Sequence, residues 1–258
     1  MLTILKIGGN VIENDAELRA VLQGFTQIEG HKILVHGGGR RATEMLPQLG
    51  IEPKMINGRR ITDAATLEVV TMVYAGLINK KIVSLLQSFS NQAIGLSGAD
   101  LNTIQSHKRI VRDIDYGFAG DIDYVNTEAI RGLLEMNATP VFCAITHDKQ
   151  GQLLNTNADT IAATLAGSLA EFYDTTLMYC FEKNGVLSEP ENDDSVIRVI
   201  NEMTYQSYKQ SGIISAGMIP KMDNAFFALS KGVKEVQICG TAKVKGEKGV
   251  PFSTIRHN

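Results

Sequence analysis

Two short glycine runs each follow an apolar segment and precede a helical pattern. The first is Lys6-Ile-Gly-Gly-Asn10, and the second is His36-Gly-Gly-Gly39. Backbone N–H groups at such a turn point towards an anion, and the N-terminus of the next helix adds the positive end of its dipole. A single Gly-Gly pair more often marks only a tight connection. Two such turns on neighbouring strands predict a composite cradle for phosphate or carboxylate oxygens.

Two lysines occur where a bound anion would explain their placement. Phosphoryl transfer depends on positioning and on charge neutralisation around the moving group. Lys6 interrupts an apolar strand just before the first glycine turn, whereas lysine is usually a surface residue. Lys221 follows Pro220, which fixes a helix start, so its charge lies in a first turn that disfavours a cation by about 0.3–1 kcal/mol. Both lysines are therefore candidate catalytic residues.

An aspartate completes this candidate set. The segment Asn155-Thr-Asn-Ala-Asp159 opens another helix, with Asn157 as the predicted cap and Asp159 in the first turn. Taken alone, Asp159 would compensate the helix dipole. Because the chain also carries two candidate lysines, a carboxylate that orients both ammonium groups is the sharper hypothesis.

Other phosphate and acyl motifs are absent or incomplete. The chain contains neither a GxxxxGK[ST] loop nor a GxSxG elbow, which excludes a P-loop enzyme and a serine hydrolase. Residues 37–42 match the loose G-x-G-x-x-A dinucleotide fingerprint, but no acidic residue follows about 20 positions on, at 56–58. A dinucleotide-dependent oxidoreductase stays as an alternative, and NADH fluorescence would detect such binding.

Short apolar runs alternate with amphipathic stretches, a rhythm typical of βα units on a parallel sheet. Strands are predicted at Leu2–Ile7, 32–35, Ala93–Leu96, 141–145, 176–180 and 236–239. Helices are predicted after Asn14, behind the second glycine run to Leu49, after a Thr62 cap, and at 127–136, Ala158–Leu169, 204–210 and 218–230. A hairpin is predicted at 53–62, around the turn signal Asn57-Gly58.

These elements predict an α/β fold, a three-layer αβα sandwich with an open, mostly parallel central sheet. We expect a single domain over residues 1–258, with an N-terminal lobe at about 1–173 and a C-terminal lobe at about 174–258.

Composition and charge exclude several classes of protein. The chain has 258 residues, of which 44% are hydrophobic and 21% charged, with a net charge of −3. These values are typical neither of disordered chains nor of nucleic-acid-binding proteins, and no uncharged run approaches the ~20 residues of a membrane span. Three widely spaced cysteines fit a reducing compartment. We therefore expect a cytoplasmic globular protein without a nucleic-acid or membrane partner.

Together these residues resemble the amino-acid kinase family. The similar segments, in order, are Lys6-Ile-Gly-Gly9, His36-Gly-Gly-Gly39, Asn57-Gly-Arg-Arg-Ile-Thr62, Gly117-Phe-Ala-Gly120, Asn155-Thr-Asn-Ala-Asp159 and Gly217-Met-Ile-Pro-Lys221. The resemblance implies ATP-dependent phosphorylation of the side-chain carboxylate of N-acetyl-L-glutamate, in arginine biosynthesis. The acylated glutamate would bind in the N-terminal lobe and ATP in the C-terminal lobe.

The resemblance also implies roles for the phosphoryl-transfer residues. Lys6 and Lys221 would stabilise the transferring phosphoryl group, and Asp159 would hold both ammonium groups. The N–H groups of Gly8 and Gly9 would cradle the phosphoryl oxygens.

On the substrate side, the resemblance implies binding by the second glycine turn, at Gly38 and Gly39, and by two side chains. Arg60 and Asn155 would bind the substrate carboxylate, and the planar fork of an arginine suits that task on physical grounds. The hairpin at 54–62 would act as a lid. His36 is expected to shape its turn.

For the nucleotide, the resemblance implies contacts from Glu182, Lys183, Asn184, Gly185, Val186, Leu187, Ile213, Ile214 and Ser215. The family usually has a hydroxyl-acid pair where this chain has Phe181-Glu182, and a Gly-Thr pair where it has Pro251-Phe-Ser-Thr-Ile255. Both departures lie on the ATP side. Mg²⁺ would arrive on the nucleotide phosphates, so no dedicated metal site is expected.

Two alternatives stay open beside this function. N-succinyl-L-glutamate would be phosphorylated by the same mechanism, since some members of the family act in pathways that use an N-succinyl group. A non-catalytic ligand-sensing protein on the same fold would not need the two lysines, and Lys6→Ala would separate it from a kinase. The resemblance implies that arginine-inhibited members of the family carry an extra N-terminal helix, which joins their dimers into a ring. Because only five residues precede Lys6, we expect a homodimer rather than an arginine-inhibited hexamer.

Overall fold

The computed structural model describes residues 1–56, 58–110, 113–214 and 217–257. Its strands are β1 (Leu2–Ile7), β2 (His31–His36), β3 (Met55–Ile56), β4 (Arg59–Arg60), β5 (Ala93–Leu96), β6 (Ile104–Lys108), β7 (Ala119–Val125), β8 (Thr139–Phe142), β9 (Ile145–His147), β10 (Leu153–Thr156), β11 (Thr175–Phe181), β12 (Val199–Ile200), β13 (Glu235–Gly240) and β14 (Ser253–Ile255).

Its α-helices are α1 (Gly9–Glu13), α2 (Asp15–Thr26), α3 (Gly39–Gln48), α4 (Ala64–Thr71), α5 (Asn79–Ser88), α6 (Thr127–Glu135), α7 (Ala158–Leu169), α8 (Glu202–Gln210), α9 (Ile219–Ser230) and α10 (Thr241–Val244). A π-helical segment, Met72–Ile78, joins α4 to α5. The chain forms two compact units: the first comprises Met1–Ile33 and Ala162–Asn258, and the second comprises Leu34–Ile161.

The first unit is built on a mostly parallel sheet with the strand order β12-β14-β13-β11-β1. Strands β1, β11 and β13 are parallel, while β14 runs antiparallel to β13. Apart from Lys6, every residue of β1 is buried. Such a run is typical of a central parallel strand that is covered on both faces. The polar side chain of Lys6 therefore stands out on this strand.

The second unit contains a parallel arrangement and a small barrel. The last residues of β2 pair with β8, and β8 pairs with β5, in parallel register. Strands β10, β7, β6 and β9 close into a barrel, and β3 and β4 form an antiparallel hairpin with Met55 opposite Arg60. The carboxyl ends of parallel strands lie at one edge of a sheet, so the second glycine turn lies at that edge.

One continuous helix of 25 residues, Ala64–Ser88, includes α4, the π-helical segment and α5. Its mean hydropathy over 18 residues is 1.5, so by length and composition it could cross a membrane. A buried core helix has the same composition, and 44% of that window is buried inside the protein. Val70, Ile82 and Leu86 are fully buried. We therefore interpret Ala64–Ser88 as a core helix of the second unit.

The predicted α/β class with a mostly parallel central sheet is confirmed. Strands β1 and β5 and helix α7 have the predicted bounds, and Asn14 caps α2 by accepting the N–H of Glu17. The strand predicted at 141–145 is wrong as one element, because β8 ends at Phe142 and β9 begins at Ile145. Asn57, in the predicted turn, lies outside the described residues.

The predicted cap at Thr62 is wrong. Asp63 caps α4, and its Oδ1 accepts the N–H of Thr66 at 2.8 Å. Thr62 is instead fully buried and forms an isolated bridge with Gly117. Its N–H donates to the carbonyl oxygen of Tyr116 at 3.0 Å, and its own carbonyl accepts the N–H of Phe118 at 2.6 Å.

Gly117 permits this close backbone approach. Its φ is +66°, and a Cβ at this position would overlap the carbonyl oxygen of Thr62. A left-handed conformation and a contact of this kind both favour glycine. The bridge fixes the segment that follows the β3–β4 hairpin.

Gly117→Ala is expected to lower the free energy of unfolding by about 2–4 kcal/mol, because left-handed strain costs about 1–3 kcal/mol and the overlap adds to it. Gly132→Ala is the matched control: Gly132 lies within α6, and a Cβ there would meet no atom within 4 Å. The free energy of unfolding of that variant should rise by about 0.5–1 kcal/mol. Urea unfolding measures the stability of both variants. Equal stability of the two would contradict the conclusion that the backbone at position 117 requires glycine.

Candidate active site

Two predicted catalytic lysines lie beside one tyrosine in the first unit. Lys6 in β1 and Tyr179 in β11 are register partners, so their side chains share a face of the sheet. The ammonium nitrogen of Lys221, in the first turn of α9, lies 5.9 Å from the centroid of the Tyr179 ring. This is within the ~6 Å reach of a cation–π contact. Tyr179 is 1% exposed, so its buried side chain is a fixed neighbour of Lys6 on the sheet and of Lys221 above its ring.

The first glycine turn follows directly after β1. Gly8 donates its N–H to the carbonyl oxygen of Cys180 at 3.1 Å, which extends the pairing of β1 with β11. The N–H of Ile12 donates to the carbonyl oxygen of Gly8 at 3.4 Å. The N–H groups of Gly9 and its two successors precede this bond, so the helix offers them no acceptor. The N–H of Gly8, predicted as part of the phosphate cradle, is therefore used within the sheet, and the anion donors at this turn begin at Gly9.

An open cavity in the first unit lies between the loop after β11 and the segment before α9. It is lined by Phe181, Lys183, Gly185, Val186, Leu187, Pro190, Ile213, Ile214 and Met218. Its empty space, including the part open to solvent, is about 530 Å³. A mostly apolar lining with one cation suits a flat organic ligand that carries negative charge.

Most of the predicted nucleotide residues lie in this lining, but not all. Glu182 is exposed and is not part of the lining. Asn184 also lies outside it; a Cβ on Gly240 would lie 2.5 Å from Oδ1 of Asn184, which places this side chain against β13. Ser215 lies outside the described residues.

Ser253 anchors the cavity loop from β14. Its Oγ accepts the N–H of Val186 at 2.8 Å, and the residue is fully buried. A second anchor is the ion pair between Lys183 and Asp193, with 2.7 Å between Nζ and Oδ1. The hydrogen bond that Lys183 donates to the Asp193 carboxylate raises the pKa of Lys183, so its charge is retained. The unusual C-terminal segment thus holds the loop in place.

Arg60 is the buried cation of the second unit, with 8% of its surface exposed. Its Nη2 donates to the carbonyl oxygen of Gly39 at 2.8 Å and to Oγ1 of Thr43 at 2.7 Å. Among the described residues, its buried Nη1 has no hydrogen-bond partner. A buried charge with an unused donor is costly unless an anion binds there. The side chain therefore fits a carboxylate ligand.

The second glycine turn adjoins Arg60. Ala42 donates its N–H to the carbonyl oxygen of Gly38 at 3.0 Å, so the N–H groups of Gly39 and its two successors lack an acceptor within α3. Tyr74 lies beside the same turn, where a Cβ on Gly39 would be 3.8 Å from the Tyr74 hydroxyl. Burial raises the pKa of Tyr74, against the influence of Arg60, so the hydroxyl keeps its proton.

Asn155 is tied to the segment after the hairpin. Its Nδ2 donates to Oγ1 of Thr62 at 3.0 Å. The predicted Asn157 cap is confirmed, because its Oδ1 accepts the N–H groups of Asp159 and Thr160 at 2.8 and 3.0 Å. Asp159 thus lies in the first turn of α7, where it is partly buried.

Several site residues could not be recognised from local sequence. Pro190 and Met218 line the cavity, while Tyr179 and Tyr74 lie beside the lysines and the second glycine turn. Each tyrosine sits in an apolar strand or helix stripe, where a core role is the ordinary interpretation. Only their contacts with residues distant in sequence distinguish them.

The fold and these motifs define a class. The chain belongs to the amino acid kinase family, whose profile matches residues 1–240.

Curated relatives that match nearly the whole chain are named acetylglutamate kinase. The protein of Parabacteroides distasonis is 51% identical over 96% of this chain and 97% of its own length. That of Phocaeicola vulgatus is 54% identical over 92% of both chains. The protein of Methanopyrus kandleri is 33% identical over 91% of this chain and 93% of its own length.

Solved structures show the same fold at low sequence identity. N-acetylglutamate synthase from Neisseria gonorrhoeae, complexed with coenzyme A and N-acetyl-glutamate, has a TM-score of 0.83 at 20% identity, over 100% of this chain and 59% of that one. Carbamate kinase from Giardia lamblia, bound to AMP-PNP, has a TM-score of 0.70 at 14% identity, over 100% and 98%. At these identities the likeness shows the fold alone.

Ser253→Ala is expected to lower the free energy of unfolding by about 1–3 kcal/mol, because the buried N–H of Val186 loses its acceptor. Ser230→Ala is the control, since its Oγ donates to the carbonyl oxygen of Phe227 at an exposed helix end. That variant should stay within about 0.5 kcal/mol of the parent. Urea unfolding compares them, and a Ser253→Ala protein as stable as the control would rule out the anchoring role.

Proposed function

We propose that this protein is a phosphotransferase that uses ATP to phosphorylate the side-chain carboxylate of N-acetyl-L-glutamate, in arginine biosynthesis. Relatives that share about half of its residues over nearly the whole chain carry the name acetylglutamate kinase. The single structural observation that carries the proposal is Arg60, a buried cation with a donor that no described residue uses. An acidic substrate would supply the missing acceptor.

The substrate is held by residues of the second unit. The unused Nη1 of Arg60 takes a carboxylate oxygen, as charge-assisted hydrogen bonds of this kind are the strong ones. Asn155 lies on the segment tied to Thr62 and offers its side-chain amide to the same ligand. The N–H groups at the Gly38–Gly39 turn serve the reacting end of the substrate.

In the proposed reaction, an oxygen of the side-chain carboxylate attacks the γ-phosphorus of ATP. The bond between that phosphorus and the β,γ-bridging oxygen breaks, and ADP leaves with that oxygen. The products are N-acetyl-L-glutamyl 5-phosphate and ADP. A general base is not required, because the carboxylate is already ionised at pH 7.

Lys6 and Lys221 stabilise the charge on the transferring phosphoryl group. Their common placement beside Tyr179 supports a shared task, and fixed cations lower the barrier by preorganisation. The N–H groups from Gly9 onwards add donors to the same group. For Asp159, the third proposed catalytic residue, the support is the sequence motif and its position in the first turn of α7.

ATP binds in the cavity of the first unit, with Lys183 as the cation of its lining. Among the described residues, no group of three or more His, Cys, Asp or Glu side chains could hold a metal ion. We therefore propose that Mg²⁺ enters on the nucleotide phosphates and keeps several waters. When bound, it would neutralise part of the phosphate charge.

We further propose a cytoplasmic homodimer. Cys143, Cys180 and Cys239 are free and buried, which fits a reducing compartment. Strand β5 is terminal in its strand order, and its Ile94 is 37% exposed. Lys80 and Gln87 donate to the carbonyl oxygens of Gly95 and Ala93 on this strand, so a second copy of the chain would cover the exposed apolar side chain rather than extend the sheet. Light scattering after size exclusion tests this, and a monomer at micromolar concentration would refute it.

The first experiment is a coupled ADP-release assay with Mg-ATP on N-acetyl-L-glutamate, N-succinyl-L-glutamate and unmodified L-glutamate. Turnover is expected with the N-acetyl compound and not with glutamate. Lys6→Ala should lower kcat by at least about 10²-fold, while Lys234→Ala, an exposed lysine paired with Asp174, should not change it. Turnover with the N-succinyl compound alone would move the assignment to that substrate. A folded protein inert with both compounds would favour a ligand-sensing protein.

Arg60→Lys should raise the KM for the acylated glutamate by about 10- to 100-fold, because a hydrogen bond to a charged group contributes about 1.5–3 kcal/mol. The KM for ATP should not change, since the nucleotide cavity is formed by other residues. The neighbouring Arg59→Lys is a matched control, because Arg59 is exposed and carries the same charge. If both variants behave alike in steady-state kinetics, Arg60 does not bind the substrate.

A further inference from the structure

His36 and Asn79 form a buried pair behind the second glycine turn. His36 is the last residue of β2 and is 0% exposed, while Asn79 begins α5 and is 1% exposed. Nδ2 of Asn79 lies 3.1 Å from Nε2 of His36 and 2.9 Å from the carbonyl oxygen of Val141. Nδ1 of His36 lies 2.8 Å from the carbonyl oxygen of Gly37. A chain of hydrogen bonds therefore runs from α5 to the turn.

These partners fix the position of each proton. A carbonyl oxygen only accepts, so the Asn79 atom beside Val141 is the amide nitrogen. The amide oxygen then accepts from Nζ of Lys80 at 3.3 Å, and an ammonium group only donates. Because the amide nitrogen also donates to Nε2 of His36, the proton of the neutral imidazole lies on Nδ1. It is donated to the Gly37 carbonyl.

The surroundings keep this imidazole neutral. Burial, with a smaller contribution from the charge of Lys80, lowers the pKa of His36 to about 4 against the opposing effect of the hydrogen bond to Gly37. At neutral pH the ring therefore carries one proton. That single proton is the one the Gly37 carbonyl uses.

The bond to Gly37 has a geometric consequence for the next residue. The Gly37 carbonyl and the Gly38 N–H belong to one planar trans peptide and so point in opposite directions. A peptide between two glycines would otherwise rotate readily. When His36 holds the carbonyl, the Gly38 N–H is aimed away from the histidine.

The opposite side of the turn is closed by the helix. A Cβ on Gly38 would lie 2.6 Å from Cδ1 of Ile78 and 2.7 Å from Cδ1 of Tyr74. Gly38 therefore has no space for a side chain on this face, and the neighbouring side chains leave its peptide little room to rotate. Lys80 also donates to the carbonyl oxygen of Gly95 at 3.1 Å. The pair is thereby tied to β8 and β5 as well as to β2.

We propose that His36 and Asn79 are positioning residues for phosphoryl transfer. The Nδ1–H of His36, fixed in place by Asn79, aims the Gly38 N–H at the oxygen that this donor binds during the reaction. The inference rests on the proposed function of the second glycine turn. Both residues act through the turn and do not touch the substrate.

The first test is independent of activity. Side-chain ¹⁵N NMR of the unliganded protein at neutral pH is expected to show His36 protonated on Nδ1 and unprotonated on Nε2. His36→Asn identifies the signal among the histidines by its loss. Asn79→Leu should change the His36 signal and shift the amide signal of Gly38. A proton on Nε2, or an imidazolium, in the parent protein would overturn the inference.

The second test separates positioning from stability. His36→Phe keeps a ring without a hydrogen-bond donor. The single variants His36→Phe and Asn79→Leu should each lower kcat by about 10- to 100-fold at an unchanged KM for ATP. His36→Asn can place an amide N–H where Nδ1–H was and should restore most of kcat. Leu86→Ala is the control, since Leu86 is fully buried in the same helix. It should lower the Tm and leave kcat unchanged.

The outcomes are distinguishable from failure of the proposed function. If Leu86→Ala loses as much kcat as Asn79→Leu, or if His36→Phe and His36→Asn behave alike, the positioning role is wrong. If the parent protein turns over neither acylated glutamate, the proposed function fails. The His36 protonation and the Gly38 amide shift then still decide whether the pair controls the turn.

Discussion

The geometry of the second unit depends on the hydrogen bonds made by one buried guanidinium group. Arg60 is buried, so each of its donors needs an acceptor. Two acceptors come from the start of α3, the carbonyl oxygen of Gly39 and the hydroxyl of Thr43. These bonds fix the hairpin strand to the second glycine turn. The buried Nη1, which has no partner among the described residues, fits an acidic ligand, so one side chain sets the hairpin, the turn and the charge of the ligand.

Much of the fold could be predicted because its central strands are apolar and end in glycine. Strands β1 and β5 and helix α7 have the expected bounds. The barrel strands β6, β7 and β10 were not predicted, since they carry polar side chains and only partial burial, as at Ile104–Lys108. The Thr62 cap was predicted from local spacing alone. Its hydroxyl is instead used by Asn155, which is distant in sequence.

Residues of the candidate site could be predicted where a lysine or a glycine run interrupts an apolar pattern. Lys6 within β1 and the two glycine turns are such interruptions, and the cap at Asn157 has a local hydrogen-bonding signature. The supporting residues have no such signal. Tyr179 and Asn79 lie in elements where burial is ordinary, and only the paired strands and helix packing show what they contact. Glu182 shows the converse, because a residue predicted to contact the nucleotide is exposed to solvent.

The number of residues in the π-helical segment Met72–Ile78 sets which side chains of the core helix face the second glycine turn. A π-helical turn holds about one residue more than an α-helical turn, and each residue of an α-helix advances by about 100°. With this extra residue, Tyr74 and Ile78 meet Gly38 while Asn79 reaches His36. Deleting one residue would let the α-helical ladder close and would rotate α5 by about 100°. Lineages that keep this site are therefore expected to keep the length of this segment.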